Sequence, residues 1–412
     1  MQNNSHSKPA LIYAIAYCFE RASYYGIRTV IVLYMVGETL KMSNHEAMGT
    51  FGWFSLFIVF SKILGGLLGD LLVGNKKVML IGGTLQTLGC FILCIQSLTS
   101  LYIGFGLIIL GSGLFTSNAI AEFGKQYLIN KPKLLDAGFT LLHLGITIGS
   151  FIGIIILGYV AESNFNYGFI VAGMLIMLAT VLAVFTNKNQ GVLSSNYKNI
   201  SINKKLLYII AVIITSGIFW IVYQSTYFEV YTIQEKVFDG IDLIPEIYLK
   251  TELSSYFGII VISILALVWT YIYTNSFFKI FLGLIASALS FIILLFIPET
   301  PNSLSLIIFM LSAFLLSAGE MLISPILYSV IAKLSNPKYL AIILSLITIP
   351  YMLFNNISGI ITAYSNEISY NTIFLISAFI LLVFGVIAYV LSLIYKKDDR
   401  IHLSKEAEEF LS

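Results

Sequence analysis

Charge is what this chain has least of. Only 11% of its 412 residues are Asp, Glu, Lys or Arg, less than half the roughly 25% of a soluble domain. The formal net charge is +2, so no global field draws in a nucleic acid or an acidic partner. There are three cysteines, Cys18, Cys90 and Cys94; all lie in apolar runs and offer neither a disulfide framework nor a zinc site. No nucleotide-binding motif, metal spacing or nucleophile–base pair stands out, so neither an enzyme nor a bound cofactor is expected. What abounds is apolar surface: 58% of residues are hydrophobic and the mean hydropathy is +0.91. The chain reads as an all-α integral membrane protein.

A helical span needs about 20 apolar residues. Twelve runs qualify, at 11–36, 50–70, 76–97, 100–125, 136–161, 167–186, 205–233, 247–273, 276–297, 304–334, 338–365 and 370–395. They are too long and too evenly apolar for β-barrel strands. The first run holds Glu20 and Arg21 and lacks a small-residue cleavage site, so it is expected to be a retained helix. Basic residues set the orientation. Of 23 Lys and Arg, Arg21, Arg28 and Lys62 fall inside spans and Lys41, Lys236 and Lys250 outside the membrane. The other 17 fall in loops on the side of the N-terminus, so both ends are expected in the cytoplasm of a cell with the chain in its plasma or inner membrane.

The longest polar break, 187–204, predicts two six-helix bundles, 1–186 and 205–395, joined by a cytoplasmic linker and followed by a cytoplasmic tail, 396–412. A substrate would sit near the midplane between the halves. Of 31 glycines, 23 precede residue 187. Spacings such as Gly145-Gly149-Gly153 suit close helix crossings, whether or not they serve transport.

Charges inside the hydrocarbon cost several kcal/mol and each asks for a partner or a hydrated cavity. In the first span Tyr17, Arg21, Tyr24 and Arg28 are spaced by four, three and four, which places them on one helical stripe with Glu20 at its edge. Two guanidiniums on a stripe make a clamp for a carboxylate or phosphate; alternatively Glu20 and Arg28 only tie neighbouring helices together. In the tenth span Glu320 precedes Pro325, which removes a helical hydrogen bond and bends the helix beside the acid. Glu320 suits the exchange of a proton for a substrate amine, or pairs with a structural cation. Lys62, eight residues before Asp70, is read as near the inner end of its span, and Glu122 and Lys125 are expected to pair with each other.

Asp70 followed by Gly74 and the basic pair Lys76-Lys77 resembles the loop signature of the major facilitator superfamily. Glu20-Arg21-Ala22-Ser23-Tyr24-Tyr25-Gly26 resembles the first-span motif Glu-x-x-Glu-Arg-Phe-x-Tyr-Tyr-Gly of the proton-dependent oligopeptide transporter (POT) family within it. Asp136 to Phe139 with Gly145-Ile146, Phe219-Trp220, and Gly319-Glu320 with Ser324-Pro325 resemble that family's fifth, seventh and tenth spans in order. The resemblance implies that Arg21 and Arg28 hold a peptide carboxylate and Glu320 its ammonium. Tyr17, Tyr24, Tyr25, Asn118, Thr116, Gln224 and Trp220 would line the pocket, Glu20 and Glu320 would carry the proton, and Asp70, Lys76 and Lys77 would form the gating motif.

There are departures. Tyr17 replaces the first Glu of the first-span motif, Thr116 stands where the fourth span has Lys, and Gln224 where the seventh has Glu. Glu229, Glu252 and His143 are possible substitute proton carriers. The implied function is a monomeric secondary transporter that takes up di- or tripeptides with protons, the gradient being its only energy source. The alternatives are the same fold carrying an iron chelate or modified peptide, and a transporter-like receptor that moves nothing.

Overall fold

A computed structural model describes residues 5–186, 201–238, 253–298, 300–365 and 368–411. Among these residues there are helices and no strands. In chain order they are α1 Lys8–Val36, α2 Asn44–Leu67 with a π turn Leu68–Val73, α3 Asn75–Leu93, α4 Leu98–Asn130, α5 Leu135–Ser163 and α6 Phe165–Val184. Then come α7 Ile202–Ser225, α8 Tyr227–Phe238, α9 Leu253–Tyr271, α10 Ser276–Leu294, α11 Ser303–Leu334, α12 Leu340–Leu346, α13 Thr348–Ser365 and α14 Tyr370–Leu411.

The starts are written in the sequence. Ser7 accepts from the Ala10 N–H ahead of α1, and Ser43 and Glu46 form a reciprocal capping box on α2. These side chains satisfy N–H groups that the first helical turn leaves orphaned. Gly74 turns the chain between α2 and α3 at φ +95°, a left-handed backbone that costs glycine nothing.

Ten segments are long and apolar enough to cross a membrane. α1, 29 residues long, carries Glu20, Arg21 and Arg28 and is less apolar; α9 is apolar over Tyr256–Tyr271 only. Adding these two recovers the twelve spans expected. Two spans differ from the unbroken helices expected: the seventh is interrupted at Thr226, between α7 and α8, and the eleventh at Ile347, between α12 and α13. The backbone of α14 continues through the expected tail to Leu411. Most of the linker, 187–200, lies outside the described residues, as does Glu252.

Contacts divide the chain into two units, Met1–Ser194 with Ile331–Thr348, and Ser195–Val330 with Ile349–Ser412. The sequence expectation puts all of 205–395 in the second half; by contacts 331–348 belongs with the first. In that unit α1 crosses α5 backbone to backbone. A Cβ on Gly145 would stand 2.9 Å from the Ala14 carbonyl, and those on Gly149 and Gly153 closer still to the carbonyls of Cys18 and Ala22. The predicted glycine spacing is therefore a helix crossing that only glycine permits.

Candidate functional site

The stripe on α1 forms as its spacing predicts. The Arg21 guanidinium carbon lies 5.1 Å from the Tyr17 ring centre and 4.6 Å from that of Tyr24. The Arg28 guanidinium lies 5.6 Å from Tyr24 and 5.4 Å from Phe51 of α2. Cations thus alternate with aromatic faces, which stabilise them where water is scarce. Tyr25 packs edge-on against Tyr24, with 5.3 Å between ring centres.

Glu20 is fully buried. Arg21 Nε donates to its Oε2 and Arg21 Nη2 to its Oε1, both at 2.5 Å. This fork-to-fork pair satisfies both charges without leaving α1. Arg21 Nη2 also donates to Thr116 Oγ1 of α4 at 2.9 Å. Threonine at 116 therefore holds Arg21 by accepting a hydrogen bond, where the implied lysine would have repelled it.

Asn118 departs from its expected place in the pocket. It is fully buried; its amide nitrogen donates to the carbonyls of Gly65 and Leu114, and its Oδ1 accepts from Asn75 Nδ2. It fastens α4 to α2 and has no donor left for a substrate. Asn75 links it to Asp70, donating to Asp70 Oδ1 at 2.9 Å, and accepts from Lys125 Nζ at 2.6 Å. The expected Lys125–Glu122 pair forms at 3.7 Å, while Lys125 also reaches Asp70 at 3.9 Å. Asp70 Oδ2 accepts from the Ile342 N–H in the first turn of α12, where a carboxylate offsets the positive end of the helix dipole. Lys76 donates to the carbonyls of Val184 and Thr186 at the end of α6. Lys77 is exposed.

A pairing the sequence reading missed joins α5 to α11. Lys333 Nζ donates to Asp136 Oδ1 at 2.5 Å, with both side chains buried. The signal was present: Asp136 is a lone acid at the start of a span and Lys333 a lone cation at the end of another.

In the second unit Glu320 is half-buried near the middle of α11, five residues before Pro325, which lies inside the helix. A Cβ on Gly319 would collide with Ser287 Oγ, so α11 lies tight on α10 beside the acid. Trp220 packs edge-on to Tyr223 and Tyr351, and Gln224 Oε1 accepts from Ser358 Oγ of α13 at 3.0 Å. Beside the break at Thr226 lies a small cleft, lined by Tyr223, Thr226, Tyr227, Tyr231, Gln234 and Phe309 among others. Glu229 and His143 are half-buried.

The family model described as Major Facilitator Superfamily matches residues 13–352. The chain belongs to the major facilitator superfamily. It is an all-α, multi-pass membrane protein of that superfamily's fold, in which the Asp70 network occupies the signature loop. Its relatives include dipeptide and tripeptide permease B of Photorhabdus asymbiotica subsp. asymbiotica, 31% identical over 47% of this chain and 41% of the relative. Dipeptide and tripeptide permease A of Pectobacterium carotovorum subsp. carotovorum is 30% identical over 44% of this chain and 36% of the relative. The match thus spans less than half the length of either permease. Among solved structures, a peptide transporter POT in complex with alafosfalin has a TM-score of 0.64 at 21% identity, covering 94% of this chain and 95% of that one. A POT family transporter in complex with 5-aminolevulinic acid has a TM-score of 0.63 at 18% identity, covering 94% and 96%. These structures share the superfamily fold with this chain.

Proposed function

We propose that this superfamily member is a POT-type transporter that takes up di- or tripeptides with protons by alternating access. The observation that carries the reading is the Glu20–Arg21–Thr116 constellation near the middle of α1 and α4. A guanidinium fork held by a neighbouring carboxylate is a site where a proton taken up by that carboxylate frees the fork for a substrate carboxylate. Protonating Glu20 removes the charge that holds Arg21, and the fork turns to the peptide carboxylate with Arg28 beside it. Loss of the proton restores the Glu20–Arg21 pair and weakens the hold on the substrate. Uptake and proton movement are coupled because Arg21 serves one anion at a time.

Glu320, near the middle of α11 and five residues before the in-helix Pro325, is the group proposed to receive the peptide ammonium, with Trp220 and Gln224 on α7 lining that end. Asp70, Lys76 and Lys77 in the signature loop are proposed to form the gating motif on the inner side. The reading has both termini in the cytoplasm, a monomer in the plasma or inner membrane, halves joined through 187–204, and no cofactor beyond the proton gradient. The permease relatives and POT-type neighbours support it.

The test is accumulation of a labelled dipeptide by proteoliposomes under an imposed pH gradient, inside alkaline. Wild-type protein accumulates dipeptide, and Glu320→Gln abolishes gradient-driven accumulation while still inserting in the liposomes. Accumulation retained by Glu320→Gln would remove that acid from the mechanism; dipeptide binding without accumulation by the wild type would sink the transport reading.

A further inference from the structure

Among the described residues of the first unit, Lys62 is a cation inside an apolar span that the scheme above does not use. Lys62 lies on α2, eleven residues before the end of the segment Asn44–Val73. At about 1.5 Å per residue that is about 16 Å from the end of the segment, farther than a lysine side chain reaches. Lys62 thus lies deeper in its apolar segment than the expected place near the inner end. Arg21 and Thr116 lie near the middle of α1 and α4.

Packing directs Lys62 to the same place. Ser117 Oγ donates to the Lys62 carbonyl at 2.6 Å, one residue from the threonine that holds Arg21. A Cβ on Gly113 would stand 2.5 Å from Lys62 N, so α2 and α4 cross in backbone contact here. The charges acting on its ammonium are Arg21, Glu20 and Arg28. Neither the Lys62 ammonium nor the Arg28 guanidinium makes a hydrogen bond or ion pair with a described residue; Arg28 rests on the Tyr24 and Phe51 rings. Three cations thus share one carboxylate, and that carboxylate is committed to Arg21. Among the described residues two positive charges inside spans thus have no carboxylate of their own, and both side chains are partly exposed, an arrangement that an anion from outside the chain would stabilise.

We infer that Lys62 is a substrate-binding residue that, with Arg28 and Arg21, selects ligands bearing two negative charges at one end. A dipeptide with a neutral side chain brings one carboxylate and leaves a positive charge unmatched. A dipeptide ending in aspartate brings two carboxylates a few bonds apart and matches the cluster. This rests on the peptide reading above for the ligand's class, and on the cluster alone for its charge.

The experiment measures binding of Ala-Ala, Ala-Asp and inorganic sulfate to the purified full chain at pH 7 and fixed ionic strength, for wild type, Lys62→Met and Lys62→Arg. The wild type should bind Ala-Asp about tenfold more tightly than Ala-Ala. Lys62→Met should abolish that preference while its Ala-Ala affinity stays within about threefold of wild type, and Lys62→Arg should keep it. A merely structural lysine would move both affinities together. Equal loss for both dipeptides, or no wild-type preference, overturns the inference. If the wild type binds neither dipeptide, the peptide reading fails and sulfate decides. Thermal stabilisation by sulfate that Lys62→Met loses upholds the cluster, and its absence in the wild type refutes it.

Discussion

The two units solve the problem of packing helices in opposite ways. In the first, glycines let backbones touch: Gly145, Gly149 and Gly153 of α5 meet carbonyls of α1, and Gly65 meets the backbone of Gly113 and Leu114. Charges are then locked in place by short bonds, as in Glu20–Arg21 and Asp136–Lys333. In the second, glycine-mediated backbone contact is limited to Gly283 and Gly319, where α10 meets α11, and side chains fill the other seams. Gly217 faces the Phe354 ring, Gly319 meets Ser287 Oγ first, and Gly359 has nothing within 4 Å. Aromatic clusters such as Trp220–Tyr223–Tyr351 and the Ser290–Ser312 hydroxyl pair fill the seams. The second unit also carries the break at Thr226 and the in-helix Pro325. Backbone contact through glycine leaves no soft layer to repack, whereas rings and hydroxyls can slide or turn. The contrast teaches that the first unit is built to hold charge still and the second to bend around its one mid-span acid.

Breaking the largest electrostatic contact should do most damage. Lys333→Met leaves Asp136 charged and buried, at a cost of about 3–5 kcal/mol, seen as a lower Tm of the purified protein. Adding Asp136→Asn should recover most of it, and a double variant as unstable as the single one would show that the pair is not what Lys333 contributes. Next comes the glycine contrast itself. Gly153→Val should cost about 1–3 kcal/mol by forcing α5 off α1, whereas Gly359→Val should stay within about 0.5 kcal/mol. Equal effects would erase the distinction drawn between the units. Thr116→Val removes one hydrogen bond from a buried guanidinium and should cost about 1 kcal/mol, with a matching change in the pH dependence of dipeptide binding because Glu20 then holds Arg21 alone.

The smallest effect sharpens the comparison at the edge of the first unit. His6 Nδ1 pairs with Tyr127 Oη at 2.7 Å, and burial, with nearby Lys131, holds the imidazole below its ordinary 6.5. The folded state favours the neutral ring. Stability is therefore full above 6.5 and lost as pH falls through the lower folded value. Tm should decline as pH falls below 6.5 toward that value, and less steeply in His6→Phe; an unchanged slope would exclude His6 as the titrating group.

Much of this was legible in the residues. The α1 stripe followed from a spacing of four, three and four, since helical geometry alone decides which side chains share a face. The Gly145-Gly149-Gly153 seam followed from the same periodicity. The helix breaks were not legible: the sequence around Thr226 and Ile347 holds no glycine or proline within two residues of either, so local propensity gives no warning. Asn118 was misread because a motif position names a residue and says nothing of which neighbour its amide meets. Lys62 lies deeper than expected because its segment continues through the π turn to Val73.

By itself the sequence determined that this chain lives in a membrane, how many times it crosses, and which few side chains carry charge there, because burying charge in hydrocarbon is too costly to be accidental. Only the tertiary structure decided how those charges are shared: Glu20 to Arg21, Asp136 to Lys333, Asp70 to the head of α12, and Arg28 with Lys62 to no carboxylate among the described residues. Pairing depends on which helix faces bring atoms within about 3 Å, and helix crossings between distant segments set that distance.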